Sequence, residues 1–250
     1  MSQQKKKVLK VIVIIIVILT LIWMLGIRLL IWFFAQDAFY VGHAAEYFTK
    51  YDITLEDTQT ISHNGITMNI PSDYVEDEPL GNTIIYRSPD ETAAVMILAA
   101  DTDSNMALFS EENIAEMSDS FLGKIGTHQL MNGFKAMGNG FPDTWYTTFK
   151  SLCLLSADDY SFLNWKQGFA YVVSKMMADA LLTRDDYKYL YETEDICCIL
   201  QISDNMNGTG TYRAYAYMFS TDDLNTNHTV LFRANSLDEL YGMINSIVIE

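Results

Sequence analysis

Thr58-Gln-Thr-Ile-Ser-His-Asn64-Gly65-Ile-Thr-Met-Asn-Ile70 is the stretch that sets the fold class. Asn-Gly supplies the positive φ that both central positions of a two-residue hairpin demand, so the flanking runs read as antiparallel strands over Thr58 to His63 and Ile66 to Ile70. Ile66, Met68 and Ile70 alternate and face one way. Pro71 ends the ladder because it has no N–H to give, and Ser72-Asp73 opens a turn. Two more strands are expected around Asn82 to Arg87 and Ala93 to Ala100, joined at Ser88-Pro89-Asp90.

Downstream, Ser110 followed by Glu111 and Glu112 has the form of a helix start, a cap and then negative charge in the first turn, with Ile114, Met117 and Phe121 as its buried stripe. Residues 123–184 read as mostly helical, broken at Gly138-Asn139-Gly140 and Pro142, and set Phe169, Val172, Val173, Met176 and Ala180 on one face of the longest helix. Strand character returns over Lys188 to Glu192, Ile196 to Ser203, Thr211 to Ser220 and Thr229 to Ala234, with a turn at Asn207 to Gly210. Ser236 and Glu239 stand in capping-box register ahead of a helix with Leu237, Leu240, Tyr241 and Ile244 on one side, and Ile247 to Ile249 closes as a strand. Strands, then helices, then strands joined by hairpins predict an α+β fold with a mainly antiparallel sheet flanked by helices, in which 123–184 is a helical insertion.

Upstream lies an apolar run. Val11 to Ile27 holds seventeen residues without a charge, thirteen of them Ile, Leu or Val, preceded by Lys5, Lys6, Lys7 and Lys10. On insertion scales such a run enters a bilayer favourably, and extended to Phe34 it makes a helix of about 36 Å at ~1.5 Å per residue. The reading is an N-terminal transmembrane helix, with the membrane as partner through residues 8–34, Arg28 snorkelling near the outer boundary and Trp32 in an aromatic collar. Lysines before the span and almost no positive charge after it put the amino terminus in the cytoplasm and the remainder outside, a single-pass protein of the cell membrane. A cleaved signal peptide has an apolar core of only about 7 to 15 residues, so the anchor is expected to be retained. Tyr40, His43, Ala44, Tyr47 and Phe48 recur at helical spacing and extend the anchor as a stalk. The expected domains are therefore residues 1–36 as cytoplasmic tip and anchor, 37–57 as stalk helix, and 58–250 as an extracytoplasmic α+β domain.

Removing the four lysines and Arg28 from the 16 basic residues leaves 11 against 32 acidic ones, so the rest of the chain carries about −21. A field of that sign repels nucleic acid and anionic headgroups. Only Cys153, Cys197 and Cys198 are present. An odd count implies no disulfide framework, and adjacent cysteines in a strand point to opposite faces as small core hydrophobes; a bridge from Cys153 to one of them is the alternative.

Little in the chain has the spacing of catalytic chemistry. H-E-x-x-H, G-x-S-x-G and a phosphate-binding glycine loop are all absent, and His43, His63, His128 and His228 stand apart from one another. The metal candidate is Asp101, Asp103 and Asn105 with Glu112 at the twelfth place of a calcium loop, hard oxygen ligands at alternate positions. Met106 stands where that loop needs glycine, and a polar turn before a capped helix accounts for the same residues. Tyr212, Tyr215 and Tyr217, with Phe219 in the same strand and Tyr187, Tyr189 and Tyr191 near it in sequence, are the candidate partner-binding face; tyrosine is also simply a good strand former.

His63-Asn-Gly-Ile-Thr-Met-Asn-Ile-Pro-Ser-Asp-Tyr74 resembles the opening hairpin of the PsbP/DcrB-like domains, and Thr229-Val-Leu-Phe-Arg-Ala with Ser236 to Ile249 resembles their closing strand, helix and strand. The resemblance covers residues 58–100 and 211–250 and implies a central antiparallel sheet sandwiched by helices, used in that group for binding and assembly. Residues 123–184 depart from the pattern by their length. The functional expectation is a membrane-anchored binding protein, non-catalytic and without a cofactor, that recognises a protein or peptide at the cell surface. An immunity-type protein that neutralises an exported toxin and a surface hydrolase are the alternatives.

Overall fold

The structure is a computed structural model, described for residues 14–22, 24–26, 29, 45–49, 52–102, 107, 109–138, 141–155, 165–182, 186–203 and 210–249. Its strands are β1 (Glu46–Tyr47), β2 (Thr58–His63), β3 (Ile66–Pro71), β4 (Val75–Glu76), β5 (Ile84–Arg87), β6 (Ala94–Ile97), β7 (Tyr187–Glu192), β8 (Ile196–Ser203), β9 (Tyr212–Ser220), β10 (Asp223–Ala234) and β11 (Val248–Ile249). The helices are α1 (Glu111–Met117), α2 (Phe121–Met137), α3 (Trp145–Cys153), α4 (Trp165–Leu181) and α5 (Leu237–Asn245).

Two sheets form. The larger has the order β1-β7-β8-β9-β10-β6-β5-β4 and the smaller β11-β3-β2. Every pairing is antiparallel except β1 with β7. The 58–70 hairpin forms as its sequence demands, with Asn64 at φ 50° and Gly65 at φ 77°. The Asn64 amide donates to the carbonyls of Asn82 at 2.9 Å and Leu98 at 3.1 Å, which ties the small sheet to the large one.

The large sheet is buried on two faces. On one, Val95, Ile97, Leu200, Ala216 and Phe232 pack with Ile66, Met68 and Ile70 of β3 and with Leu240 and Met243 of α5. On the other, Leu190, Ile199 and Phe219 pack with Phe134 of α2, Phe149 of α3 and Tyr171 of α4. β8 lies at the middle of both layers, which explains its unbroken run Ile196-Cys-Cys-Ile-Leu. Cys198 faces the first core and Cys197 the second, as alternation requires, and all three cysteines are free thiols. The residues read as a helical insertion supply the second layer of the fold.

Several expectations are corrected. No helix among the described residues is long and apolar enough to cross a membrane, so the N-terminal transmembrane helix, and with it the signal anchor, is not supported. Residues 1–13, 23, 27, 28 and 30–44, on which the rest of that reading fell, lie outside the described residues. The stalk helix fails at its end, where Glu46–Tyr47 is a strand and the Phe48 N–H donates to the Leu190 carbonyl at 2.7 Å. Aromatic spacing over so short a window fits either conformation, and β7 offers Glu46–Tyr47 an unpaired edge. Phe121 belongs to α2 and is exposed. Among the described side chains of α4, Gly168, Ala170, Tyr171, Ser174, Lys175 and Ala178 are buried and Met176 of the expected stripe is 68% exposed, while Phe169 and Ala180 of that stripe lie outside the described side chains.

Candidate functional site

Among the described residues, helices cover one face of the large sheet at one end only. Register aligns Leu190, Ile199, Tyr217 and Thr229 in one cross-strand row, and its first three members pack under the helices. Two residues further along each strand lies the row Lys188, Gln201, Tyr215, Leu231, Met96 and Ile85. Lys188 and Gln201 are buried, but Tyr215 is 36% exposed and Met96 and Leu231 are half-buried, and none of these three belongs to either core. Two residues further still, Ser203, Arg213, Arg233, Ala94 and Arg87 form the next row on the same face. An apolar strip and an arginine strip therefore run side by side across β9, β10, β6 and β5.

Of the tyrosines singled out in the sequence, Tyr215 and Tyr217 share this face. Tyr212 does not: it sits on the opposite face, against the first core, as do Tyr189 and Tyr191, whose rings meet Phe48 edge-on at 5.9 Å. The single tyrosine face is thus corrected to Tyr215, exposed, beside a largely covered Tyr217, while the equally exposed Tyr187 lies on the opposite face. The arginines were missed because they are scattered in sequence and meet only through register. β9–β10 pairing shifts at a bulge between Asp223 and His228, which no local pattern reveals.

Around the end of α5 there is a second concavity, of about 400 Å³, bounded by Pro71, Asp73, Tyr74, Asp90 and Glu239. Two of its three carboxylates, Glu239 and Asp90, are engaged by the fold. Glu239 accepts from the Tyr74 hydroxyl and, at 2.9 Å, from the Asn235 N–H. Asp90 accepts from the Ser88 hydroxyl at 2.6 Å and from Thr92, and those bonds hold its carboxyl below the usual range.

Of the calcium candidates, Asp101 and Glu112 are among the described residues. Asp101 pairs with Asn227 as an isolated antiparallel bridge, and Glu112 lies in the first turn of α1, which Ser110 caps by accepting from the Asn113 N–H. Asp103 and Asn105 lie outside the described residues. Among the described residues no three His, Cys, Asp or Glu side chains are grouped to hold a metal. His63 Nε2 lies 2.8 Å from the Asn82 carbonyl and His228 Nδ1 3.0 Å from the Asn64 carbonyl, so both rings serve the joint between the sheets. Burial pushes the Cys153 thiol up to about 12 despite the nearby charge of Lys188, and burial raises Cys198 to about 12 as well. Such thiols are poor nucleophiles at neutral pH.

No family model matches the chain, and no curated protein matches it. A crystal structure at 1.50 Å resolution from Bacteroides thetaiotaomicron VPI-5482 is similar at 13% identity with a TM-score of 0.32, over 78% of this chain and 49% of that one. This chain spans about half that protein's length, and a likeness at this level says nothing of function.

Proposed function

We propose that this chain is a non-catalytic recognition protein that binds a peptide segment of another protein on the open end of the large sheet. The observation that carries the reading is the strip of Tyr215, Leu231 and Met96, apolar, half-exposed and outside both cores. Its rigidity favours recognition: β9 and β10 run nine and twelve residues, so binding need order little of the protein itself. Tyrosine, methionine and arginine are the residues that interfaces concentrate. Four strands at ~4.8 Å span about 14 Å, a width suited to a peptide rather than to the ~800 Å² per partner of a standard interface. The histidines committed to the joint and the buried thiols leave this face free of reactive groups, and the resemblance to PsbP/DcrB-like domains points the same way. Peptides selected on the full chain from a random display library are expected to weaken about tenfold when Tyr215→Ala and Leu231→Ala are combined, read by fluorescence anisotropy. Selected peptides that bind this variant as tightly as the parent would defeat the proposal.

A further inference from the structure

Two of the three arginines in the strip beside that surface, Arg213 and Arg233, have no acidic partner among the described residues. With 32 acidic residues against 16 basic ones, the chain offers a carboxylate to almost any surface cation. Arg87 takes one, its Nε 2.6 Å from Asp77 Oδ2, and Lys150 takes Glu192. Arg213 and Arg233 take part in neither of these ion pairs, the two found among the described residues. They are direct cross-strand partners on one face, where two like charges destabilise a sheet pair. Arg233 Nε is in addition closed off from solvent with no hydrogen-bond partner, and an unmet donor on a charged group is among the costlier defects a fold carries. Repulsion between the pair is relieved by the arrival of an anion between the two guanidinium groups.

The surroundings narrow the anion. A planar two-oxygen group matches the guanidinium fork and can accept two parallel bonds from it. The apolar strip one row away asks for a ligand with hydrophobic side chains next to its charge. A long polyanion such as nucleic acid is repelled by the rest of this acidic surface. Arg213 to Arg87 crosses three strand intervals, about 14 Å at ~4.8 Å each, which an extended peptide covers in about four residues.

We propose that Arg213 and Arg233, with Arg87 further along the row and its Nε already held by Asp77, bind the carboxylates of an acidic protein segment whose apolar side chains lie on Met96, Leu231 and Tyr215. The proposal rests on reading that face as a recognition surface.

The probe is a fluorescein-labelled, amidated Glu-Leu-Tyr-Leu-Glu peptide, compared by anisotropy on the full chain with the same peptide carrying Gln at both ends. The acidic form is expected to bind about tenfold more tightly. That preference should vanish in Arg213→Gln with Arg233→Gln, and should shrink to a few-fold in Arg213→Lys with Arg233→Lys, which keep the charge and lose the fork. Without peptide, the exposed Arg213→Gln change alone should raise Tm by relieving repulsion, whereas a purely structural role for the pair would lower it. Equal binding of the two peptides, an undiminished preference in the Gln variant, a lowered Tm in Arg213→Gln, no binding of either peptide, or displacement by low-millimolar inorganic phosphate would each overturn the carboxylate assignment. If both peptides bind equally and both weaken with Tyr215→Ala, the recognition face stands and this inference alone falls.

Discussion

Glu239 holds two elements at once. One oxygen accepts from the Asn235 N–H at the start of α5 and the other from the Tyr74 hydroxyl in the turn after β3, so a single carboxylate clamps helix to hairpin. Tyr146 and Glu192 repeat the device between α3 and β7, with Lys150 2.6 Å from the same carboxylate oxygen. Burial first, then the hydrogen bond to the carboxylate and its charge, push both phenols above their ordinary range. Sign follows from which state ionises first. Unfolded phenols lose protons near pH 10 while these two keep theirs, so the stability they confer is intact below about pH 10 and is lost as pH rises beyond it. Tm should therefore fall steeply above about pH 10, and Tyr74→Phe with Tyr146→Phe should flatten that fall in a circular-dichroism pH series. At neutral pH, Tyr74→Phe should cost about 1.5–3 kcal/mol in urea denaturation, the net worth of a hydrogen bond to a charged group.

At the scale of elements, glycines decide two packings. Gly65 sits at φ 77° in the β2–β3 turn, where any side chain is strained, so Gly65→Ala should destabilise by about 1–2 kcal/mol in urea denaturation. Gly242 has a different reason. A Cβ there would lie 2.6 Å from Leu55 Cγ and 2.8 Å from its Cδ2, because the segment before β2 lies directly on α5. Alanine's better helix propensity, worth about 1 kcal/mol, opposes an overpacking cost of about 1–3 kcal/mol. The clash should win, since Cγ is not the free end of the side chain: Gly242→Ala lowers stability, and Leu55→Ala in the same chain recovers part of the loss, both read by denaturant midpoints. α4 shows where periodicity misleads. Apolar residues cover much of its circumference, so helical spacing admits more than one stripe, and contact with α2 and α3 selects the one through Tyr171 and Ala178.

For the whole molecule, charge is the dominant long-range term. A net −16 repels itself, and only two ion pairs among the described residues are there to be weakened by salt. Raising NaCl from about 0.01 M to 0.5 M shortens the screening length from roughly 30 Å to a few ångströms, so Tm should rise by a few degrees. A fall in Tm in the same series would mean that local pairs outweigh the general repulsion.

What residue order alone determined here are the features that are local: the Asn64-Gly65 hairpin, the caps Ser110 and Ser236, the β8 run, the opposite facing of Cys197 and Cys198, and the α+β class. Each depends on φ preference, alternation or a hydrogen bond reaching three residues. Tertiary structure alone decided that helices α2 to α4 cover one sheet face, that Glu46–Tyr47 joins β7 as a strand, and that Arg87, Arg213 and Arg233 share a row. Those facts hang on strand register and on competition among faces. Both are settled by contacts between residues tens of positions apart and, for the pairings of β1 with β7 and of β6 with β10, more than a hundred, which no short window of sequence contains.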